Sequence, residues 1–275
     1  MARTNPIELI NKSSGAVGAF NVILLEHAEA YVEAAKRTNI GVVLQISENC
    51  VKYHGSLAPI GKASIALAES AMVPISIHLD HAENTDLVNE ALDLGFDSIM
   101  FDGSKLDYRE NVRISKEVAD KCRRFGAVIE VELGEVGGKD GVHAPGVRTD
   151  PQEAREFFEE TGVDLLAVAV GSSHGQTTRE TKLDIDLIKE IAAELPIPLV
   201  LHGSSGVGDV ELQSAIRAGM KKINIATHLN HVFTNSVRDT LSSDEKLVDP
   251  RKYFKGAREA VASETARLIE VLALR

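Results

Sequence analysis

The chain has 275 residues, 44% of them hydrophobic, a formal net charge of -11 and two cysteines. This acidic balance disfavours nucleic acid and anionic membrane surfaces as partners, because both select for clustered Lys and Arg. Cys50 and Cys122 lie far apart, so neither a disulfide framework nor a thiolate metal site is indicated, and no run approaches the ~20 apolar residues that span a bilayer. We therefore expect a single cytoplasmic domain over residues 1–275 that acts on a small molecule.

Short β-branched apolar runs alternate with amphipathic stretches along most of the chain, which is typical of βαβ units. The predicted strands are Ala16–Asn21, Gly41–Ser47, Ile75–Asp80, Ser98–Phe101, Val128–Glu132, Leu165–Val170, Leu199–His202 and Ile223–Ala226. The predicted helices include Thr85–Leu94, Tyr108–Phe125, Pro151–Thr161, Asp184–Leu195, Asp209–Ala218, Leu229–Leu241 and, after a break at Asp249-Pro250-Arg251, Phe254–Ala273. Eight repeats predict an α/β fold, a closed (β/α)8 TIM barrel with an extra C-terminal helix. A doubly wound open sheet is the alternative, but it usually has fewer strands.

Polar residues stand where nearly all of the predicted strands end. They are Asn21, Ser47, Asp80-His81, Asp102, Glu130 with Glu132, Ser172-Ser173-His174, His202, and Asn224 with Thr227. The carboxyl ends of parallel barrel strands meet at one rim, where barrel enzymes place their sites. A ring of buried polar groups would cost about 1–3 kcal/mol for each unpaired member, so we expect the ring to bind a ligand.

Three histidines of this ring, His81, His174 and His202, each follow an apolar strand and are flanked by small residues. Imidazoles that converge with one open position are typical of catalytic zinc. Asp80 is the expected general acid or base, and the alternative for it is a carboxylate that orients a histidine. For most of the other histidines we expect structural roles, whereas His78 could line the pocket.

Two loops are further candidates for function. The segment 130–141 is rich in glycine and carboxylates, and it predicts a mobile lid or, alternatively, a solvated surface loop. Gly203–Gly206 and Asn224–Thr227 follow strands seven and eight, where barrels frequently bind phosphate, although tight turns use the same residues. Lys221 and Lys222 are predicted to precede strand eight, away from the site, which disfavours a Schiff-base lysine.

Several of these segments resemble the class II fructose-bisphosphate aldolase family. The resemblance lies in His78–Ala82, Val131–Gly134, Gly171–Gly175, Leu201–Gly206, Ile223–Thr227 and Asp249–Tyr253, and it covers nearly the whole chain. Ala226 is similar to the tagatose-bisphosphate branch, since fructose-bisphosphate enzymes typically have Asp there.

The resemblance implies a zinc ion, or another divalent metal, at His81, His174 and His202. It also implies a metal-associated carboxylate at Glu132, a catalytic acid at Asp80, and a monovalent cation (Na+ or K+) near the substrate phosphate. We expect a homodimer or homotetramer. The predicted substrate contacts at the rim are Asn21, Ser47, Gly175, Gly203, Ser204, Ser205, Asn224, Ala226 and Thr227.

Two departures from the family pattern leave alternatives open. The family commonly has a phosphate-binding lysine four residues after the metal histidine His174, where this chain has Thr178. Either Arg179 or Lys182 replaces that lysine, or the substrate has no C1 phosphate. The family's lid glutamate aligns with Asp140, and Glu135 is the alternative catalytic carboxylate. Arg251 is either a ligand of a distal anion or a surface arginine.

Four functions are therefore compatible with the sequence. The main one is a metal-dependent aldolase that cleaves fructose or tagatose 1,6-bisphosphate to dihydroxyacetone phosphate and an aldehyde. An aldolase for a ketose without the C1 phosphate, such as sulfofructose or a free ketohexose, would give dihydroxyacetone instead. A noncatalytic barrel subunit associated with an aldolase is disfavoured by the intact histidines and Asp80, and a metal-dependent isomerase or hydrolase could use the same three histidines.

Overall fold

The computed structural model describes residues 3–134, 136 and 148–275, and within them eight parallel strands close into a barrel in sequence order. Each strand pairs with its neighbours in the chain, and the first pairs with the last. The predicted (β/α)8 barrel is confirmed. The strands are β1 (Val17–Asn21), β2 (Val42–Ser47), β3 (Ile75–Ala82), β4 (Ser98–Phe101), β5 (Val128–Leu133), β6 (Leu165–Val168), β7 (Leu199–Leu201) and β8 (Met220–Ile225).

Helices follow the strands and form the outer layer of the barrel, whereas α1 precedes β1 and packs at the amino end of the barrel. In the described part of the chain they are α1 (Pro6–Lys12), α2 (Leu25–Thr38), α3 (Glu48–His54), α4 (Ala58–Ser70), α5 (Thr85–Asp93), α6 (Tyr108–Phe125), α7 (Pro151–Thr161), α8 (Ile185–Glu194), α9 (Asp209–Ala218), α10 (Thr227–Ser243) and α11 (Pro250–Leu272), with a short 3-10 turn at Ser204–Gly206. None of these helices is long and apolar enough to cross a membrane.

The barrel interior is apolar at the amino ends of the strands. Leu9 and Ile10 of α1 pack there against inward-facing side chains such as Val17, Val43 and Val200. Because successive strand residues point to opposite faces, the residues between these pack outward against the helices. The residues that line the site come instead from the carboxyl ends of the strands.

Strand β8 begins three residues earlier than predicted, and this changes the position of Lys222. The register pairs Val17 with Lys222, so the lysine is inside the sheet and fully buried. The prediction that Lys222 precedes the strand is wrong. Met220 and the aliphatic stem of Lys222 continue the apolar pattern of the strand, but the charged group of the lysine makes this position look polar in the sequence.

Helix α11 also begins earlier than predicted, at Pro250 rather than Phe254. The Asp249 carboxylate accepts the backbone N–H of Arg251 at 3.0 Å, which caps the helix, and proline is well suited to the first helical turn. The sequence Asp249-Pro250-Arg251 thus starts the helix instead of separating it from the barrel. The helix packs on the outside of the barrel, against α2 and α10.

Helix α2 carries a buried histidine, His27, whose ring lies 4.8 Å from the ring of Phe233 in α10, measured between centroids. Its Nδ1 accepts the backbone N–H of Leu24 at 3.2 Å. Burial disfavours the charged ring and lowers the pKa of His27 to about 4.

We expect His27 to make the protein less stable as the pH falls. Below its unfolded-state pKa of 6.5, the unfolded chain takes up a proton that the folded chain does not, so the free energy of unfolding decreases from pH 6.5 down to about 4. At pH 5 this contribution is about 2 kcal/mol relative to pH 7. His27→Asn keeps an acceptor for Leu24 but does not titrate, and urea unfolding at pH 7 and pH 5 should show a smaller loss for it. The exposed His231→Asn is the control, and equal losses in wild type and His27→Asn would contradict the prediction.

Candidate active site

A cavity of about 350 Å³ opens at the carboxyl ends of the strands, and most of the predicted site residues line it. The predicted residues in its wall are Asn21, Ser47, Asp80, His81, His174, Gly175, His202, Gly203, Ser204, Ser205, Asn224, Ala226 and Thr227. Its wall also contains Asp102, a predicted member of the polar ring, and residues to which the sequence analysis gave no role, namely Gln45, Glu48, Asn49, Lys52, Glu83 and Lys105.

The three predicted metal histidines meet at one point of this cavity. Their ligand atoms lie within 4.8 Å of one another. His81 Nε2 faces His202 Nδ1 at 2.8 Å, and the ring centroid of His174 lies 5.0 Å from that of His81. The strand-end placement therefore brings together three imidazoles that are separated by up to 121 residues in the chain.

Carboxylates behind two of these rings fix the position of their protons. Asp102 Oδ2 lies 2.7 Å from His81 Nδ1, and Glu130 Oε1 lies 2.9 Å from His202 Nε2. An ionised carboxylate can only accept, so each of these ring nitrogens carries its proton. His81 Nε2 and His202 Nδ1 then each present a lone pair to the point where the three rings meet, as metal-binding imidazoles do. This arrangement fits a divalent metal held by imidazoles that carboxylates orient.

Glu132, the predicted metal-associated carboxylate, lies near the same nitrogen of the His81 ring that Asp102 contacts. Its Oε2 is 4.0 Å from His81 Nδ1, and His81, Asp102 and Glu132 form a second group of closely spaced ligand atoms. Glu132 is fully buried, and its Oε1 accepts the backbone N–H of Val136 at 3.1 Å.

His81 has an unusual backbone conformation for its residue type. Its φ is +48°, in the left-handed region, and the pairing of β3 with β4 shifts register between Leu79 and Ala82. The bulge lets consecutive residues Asp80 and His81 both reach the cavity, which regular alternation would forbid. Strain of this kind, about 1–3 kcal/mol, is typical of functional sites.

Asp80, the predicted acid or base, is held by two asparagine side chains. The Asn21 amide donates to Asp80 Oδ2 at 2.9 Å, and the Asn224 amide approaches Oδ1 at 3.3 Å. Gln45 in turn donates to Asn21 Oδ1 at 2.6 Å. These contacts fix the plane of the carboxyl group at the cavity wall and leave lone pairs for a substrate hydroxyl.

His78 lies one layer beneath the cavity and does not line it. Its Nδ1 is 2.7 Å from Ser98 Oγ. Burial, and after it the positive charge of Lys222, hold the pKa of His78 well below its usual range. The ring is therefore neutral and belongs to the support of the site.

The loop after β7 and the start of α10 form the opposite wall. Gly203 has a φ of +65°, and a Cβ there would lie 2.7 Å from the backbone of Ser173, so only glycine fits. Ser205 Oγ accepts the backbone N–H of Ala226 at 3.3 Å. Helix α10 begins at Thr227 without a side-chain cap, and Ala226 and Thr227 at its start line this wall.

Three cationic candidates lie outside the cavity wall. Arg179 donates to the Val207 carbonyl at 2.8 Å and pairs with Asp209 at 2.8 Å. Lys182 is exposed and pairs with Glu211, and Arg251 is 88% exposed and pairs with Asp249 at 2.8 Å. The two lid carboxylates, Glu135 and Asp140, lie outside the described residues.

Comparisons with known proteins agree with this site. A family model described as fructose-bisphosphate aldolase class-II matches residues 5–274. A fructose-bisphosphate aldolase of Staphylococcus aureus (strain Mu50) is 40% identical over 250 residues, which are 90% of this chain and 87% of the relative. One from Thermus caldophilus is 38% identical, with 93% of each chain covered.

Two solved structures are similar over almost their whole length. The YdjI aldolase from Escherichia coli K12 has a TM-score of 0.84 and 30% identity, with 97% of this chain and 94% of that chain covered. A putative fructose-1,6-biphosphate aldolase from Coccidioides immitis has a TM-score of 0.86 and 28% identity, with 97% and 95% covered. The resemblance read from the sequence motifs is confirmed.

We expect Asp102→Asn to weaken the binding of a divalent metal ion about 10- to 100-fold, the usual effect of removing a carboxylate behind a metal-binding histidine. The substituted amide cannot accept from His81 and from both donors of Ser104, which now meet Asp102 Oδ1 at 2.6 and 3.2 Å. Competition with a chromophoric chelator measures the affinity. The exposed Asp93→Asn is the control for the change in charge, and an Asp102→Asn protein with wild-type affinity would reject this role.

Proposed function

Because this chain belongs to the class II fructose-bisphosphate aldolase family, we propose that it is a zinc-dependent ketose aldolase that reversibly cleaves the C3–C4 bond of a ketohexose bisphosphate. Fructose or tagatose 1,6-bisphosphate is the proposed substrate, with dihydroxyacetone phosphate and an aldehyde as products. The observation that carries the proposal is the convergence of His81, His174 and His202 beside Asp80 in one cavity.

In this proposal the histidines hold the zinc ion, whose Lewis acidity polarises the ketose carbonyl when it is bound. Asp80 accepts the proton of the C4 hydroxyl as the C3–C4 bond breaks, and it returns that proton in the reverse direction. Asn21 and Asn224 keep the Asp80 carboxylate in the orientation that this transfer requires. Protonation of C3 by Asp140 or Glu135 stays a prediction, since both lie outside the described residues.

The proposed C1-phosphate site is the wall formed by Gly175, Gly203, Ser205, Ala226 and Thr227. The uncapped start of α10 supports this position, because the first N–H groups and the dipole of a helix favour an anion. Arg179 would act there indirectly, through its bonds to the Val207 carbonyl of the same loop. The monovalent cation near the phosphate stays a prediction, as do the single domain, the homodimer or homotetramer and the cytoplasmic location.

A second candidate is an aldolase for a ketose without the C1 phosphate. The lysine that the family commonly has for this phosphate is Thr178 here, and Arg179 and Lys182 are paired with Asp209 and Glu211 outside the cavity. The lysines that do line the cavity are Lys52, in helix α3, and Lys105, in the loop after β4. A substrate of this kind would be a sulfonated or free ketohexose.

We expect the zinc-loaded protein to cleave fructose 1,6-bisphosphate at a rate that a chelator abolishes and added zinc restores. Formation of dihydroxyacetone phosphate, followed through a coupled reductase, measures the initial rate. Tagatose 1,6-bisphosphate, sulfofructose and free fructose tested in parallel separate the two substrate classes. If metal-loaded protein cleaves none of them, and His174→Ala retains bound zinc, the proposed function is wrong.

We expect Asp80→Asn to lower kcat about 100- to 10,000-fold, the range typical of losing a general acid or base, with the zinc content unchanged. The isosteric amide keeps the shape of the carboxyl group but cannot accept the C4 hydroxyl proton. Zinc content by mass spectrometry and steady-state kinetics on the same preparation separate catalysis from metal binding. A wild-type kcat in Asp80→Asn would remove Asp80 from the mechanism.

A further inference from the structure

An ion pair crosses the interior of the barrel directly beneath the site. Lys222 Nζ of β8 lies 2.8 Å from Glu130 Oε2 of β5, and both side chains are fully buried. The two strands are not neighbours in the barrel, so the pair spans the interior. Neither residue is among the metal ligands or substrate contacts proposed above. Buried ion pairs often contribute little to stability, so a role for this one must be sought in what its two ends contact.

The Glu130 end of the pair contacts His202. Glu130 Oε1 lies 2.9 Å from His202 Nε2, and the Asn224 amide nitrogen lies 3.2 Å from the same atom. The carboxylate, ionised beside an ammonium group, is the stronger partner, so Nε2 donates to Glu130. The lone pair of His202 is thereby placed on Nδ1, the atom that faces His81 Nε2.

The Lys222 end contacts Asn224. Its ammonium donates to Asn224 Oδ1 at 2.8 Å, which leaves the amide NH2 group directed towards Asp80 Oδ1 at 3.3 Å. The flipped amide would place its oxygen against the Asp80 carboxylate and its NH2 group against the ammonium. A lysine at position 222 therefore selects one of the two amide orientations.

We propose that the Lys222–Glu130 pair is a positioning element that sets the tautomer of His202 and the amide orientation of Asn224. It links the metal ligand to the catalytic carboxylate through a continuous chain of contacts: His202, Glu130, Lys222, Asn224 and Asp80. This inference rests on the proposed function, since it assigns His202 to the metal and Asp80 to proton transfer.

The rival explanation is that each charge serves only to neutralise the other. The two explanations differ for the double variant Glu130→Gln/Lys222→Met, which removes both charges and keeps similar volumes. Charge compensation alone predicts that the double variant binds zinc like the wild type. A positioning role predicts that it regains the thermal stability lost in Lys222→Met but still binds zinc 10- to 100-fold more weakly, because a neutral amide no longer dictates the His202 tautomer.

The experiment measures zinc affinity by chelator competition, melting temperature, and kcat and KM with the substrate established above. The matched control is Lys221→Met, because Lys221 is adjacent in β8 and faces away from the interior. We expect Lys221→Met to match the wild type in all four quantities. We expect the double variant to combine near wild-type melting with weakened zinc binding and, at saturating zinc, a kcat that falls more than KM changes.

A double variant with wild-type zinc affinity and kcat would overturn the inference. If the double variant does not fold, Glu130→Asp decides, because it keeps the charge pair but shortens the reach to His202 by one methylene. Weakened zinc binding in Glu130→Asp supports positioning, and unchanged binding overturns it. A wild-type protein that binds no zinc would contradict the proposed function itself, whereas wild-type binding that all variants retain contradicts only the positioning role.

Discussion

The apolar plug at the amino end of the barrel is the constraint on which the site depends. Leu9 and Ile10 of α1 fill that end together with inward-facing valines and alanines, and the residues that line the cavity lie at the other end of the strands. Alternate positions of one strand supply successive layers: Lys222 and Asn224 in β8, for example, both point inward. The lower polar layer supports the upper one, and the upper one lines the cavity.

This layering explains how the catalytic residue of the cavity wall is held in one position by hydrogen bonds. Asp80 is held from two sides by asparagines, and both of these have further partners, Gln45 and Lys222, in the network. The strained backbone of His81 is tolerated in these surroundings because the bulge of β3 and the contact with Asp102 both fix the position of its ring. Backbone strain and buried hydrogen bonds thus serve the same end, a fixed geometry before substrate arrives.

The fold and the rim residues could be predicted from the sequence because both depend on local patterns. Apolar β-branched runs mark the strands, and the polar residue ending each run marks the rim, so His81, His174, His202 and Asp80 were identified without knowledge of their distances. Contacts between distant strands left no such signal. Glu130 and Asp102 were recognised as strand-end residues, but their pairing with His202 and His81 depends on barrel closure.

Lys222 was misplaced for a related reason. Lysine is rarely buried, so the consecutive Lys221 and Lys222 favour a strand that begins only at Ile223. Its partner Glu130 lies 92 positions earlier in the chain, on a strand that is not adjacent in the sheet. Glu130 lies two residues before Glu132, so the alternation of the strand shows that both carboxylates point to the same face. It does not show that the ammonium group of Lys222 lies across the barrel from Glu130.

The charges inside the barrel give an independent reason to expect a cation at the rim. Among the described residues, the buried acidic side chains are Asp80, Asp102, Glu130 and Glu132, and the buried basic one, apart from histidines, is Lys222. All five lie in one barrel, and His78 adds no charge because its ring is neutral. Carboxylates that lie close together in a medium of low polarity favour a cation beside them, and Lys222 is paired with one of the four, Glu130. A divalent ion among the three histidines would bring further positive charge to the same end of the cavity, so the acidic interior and the imidazole cluster favour the same kind of bound species for different physical reasons.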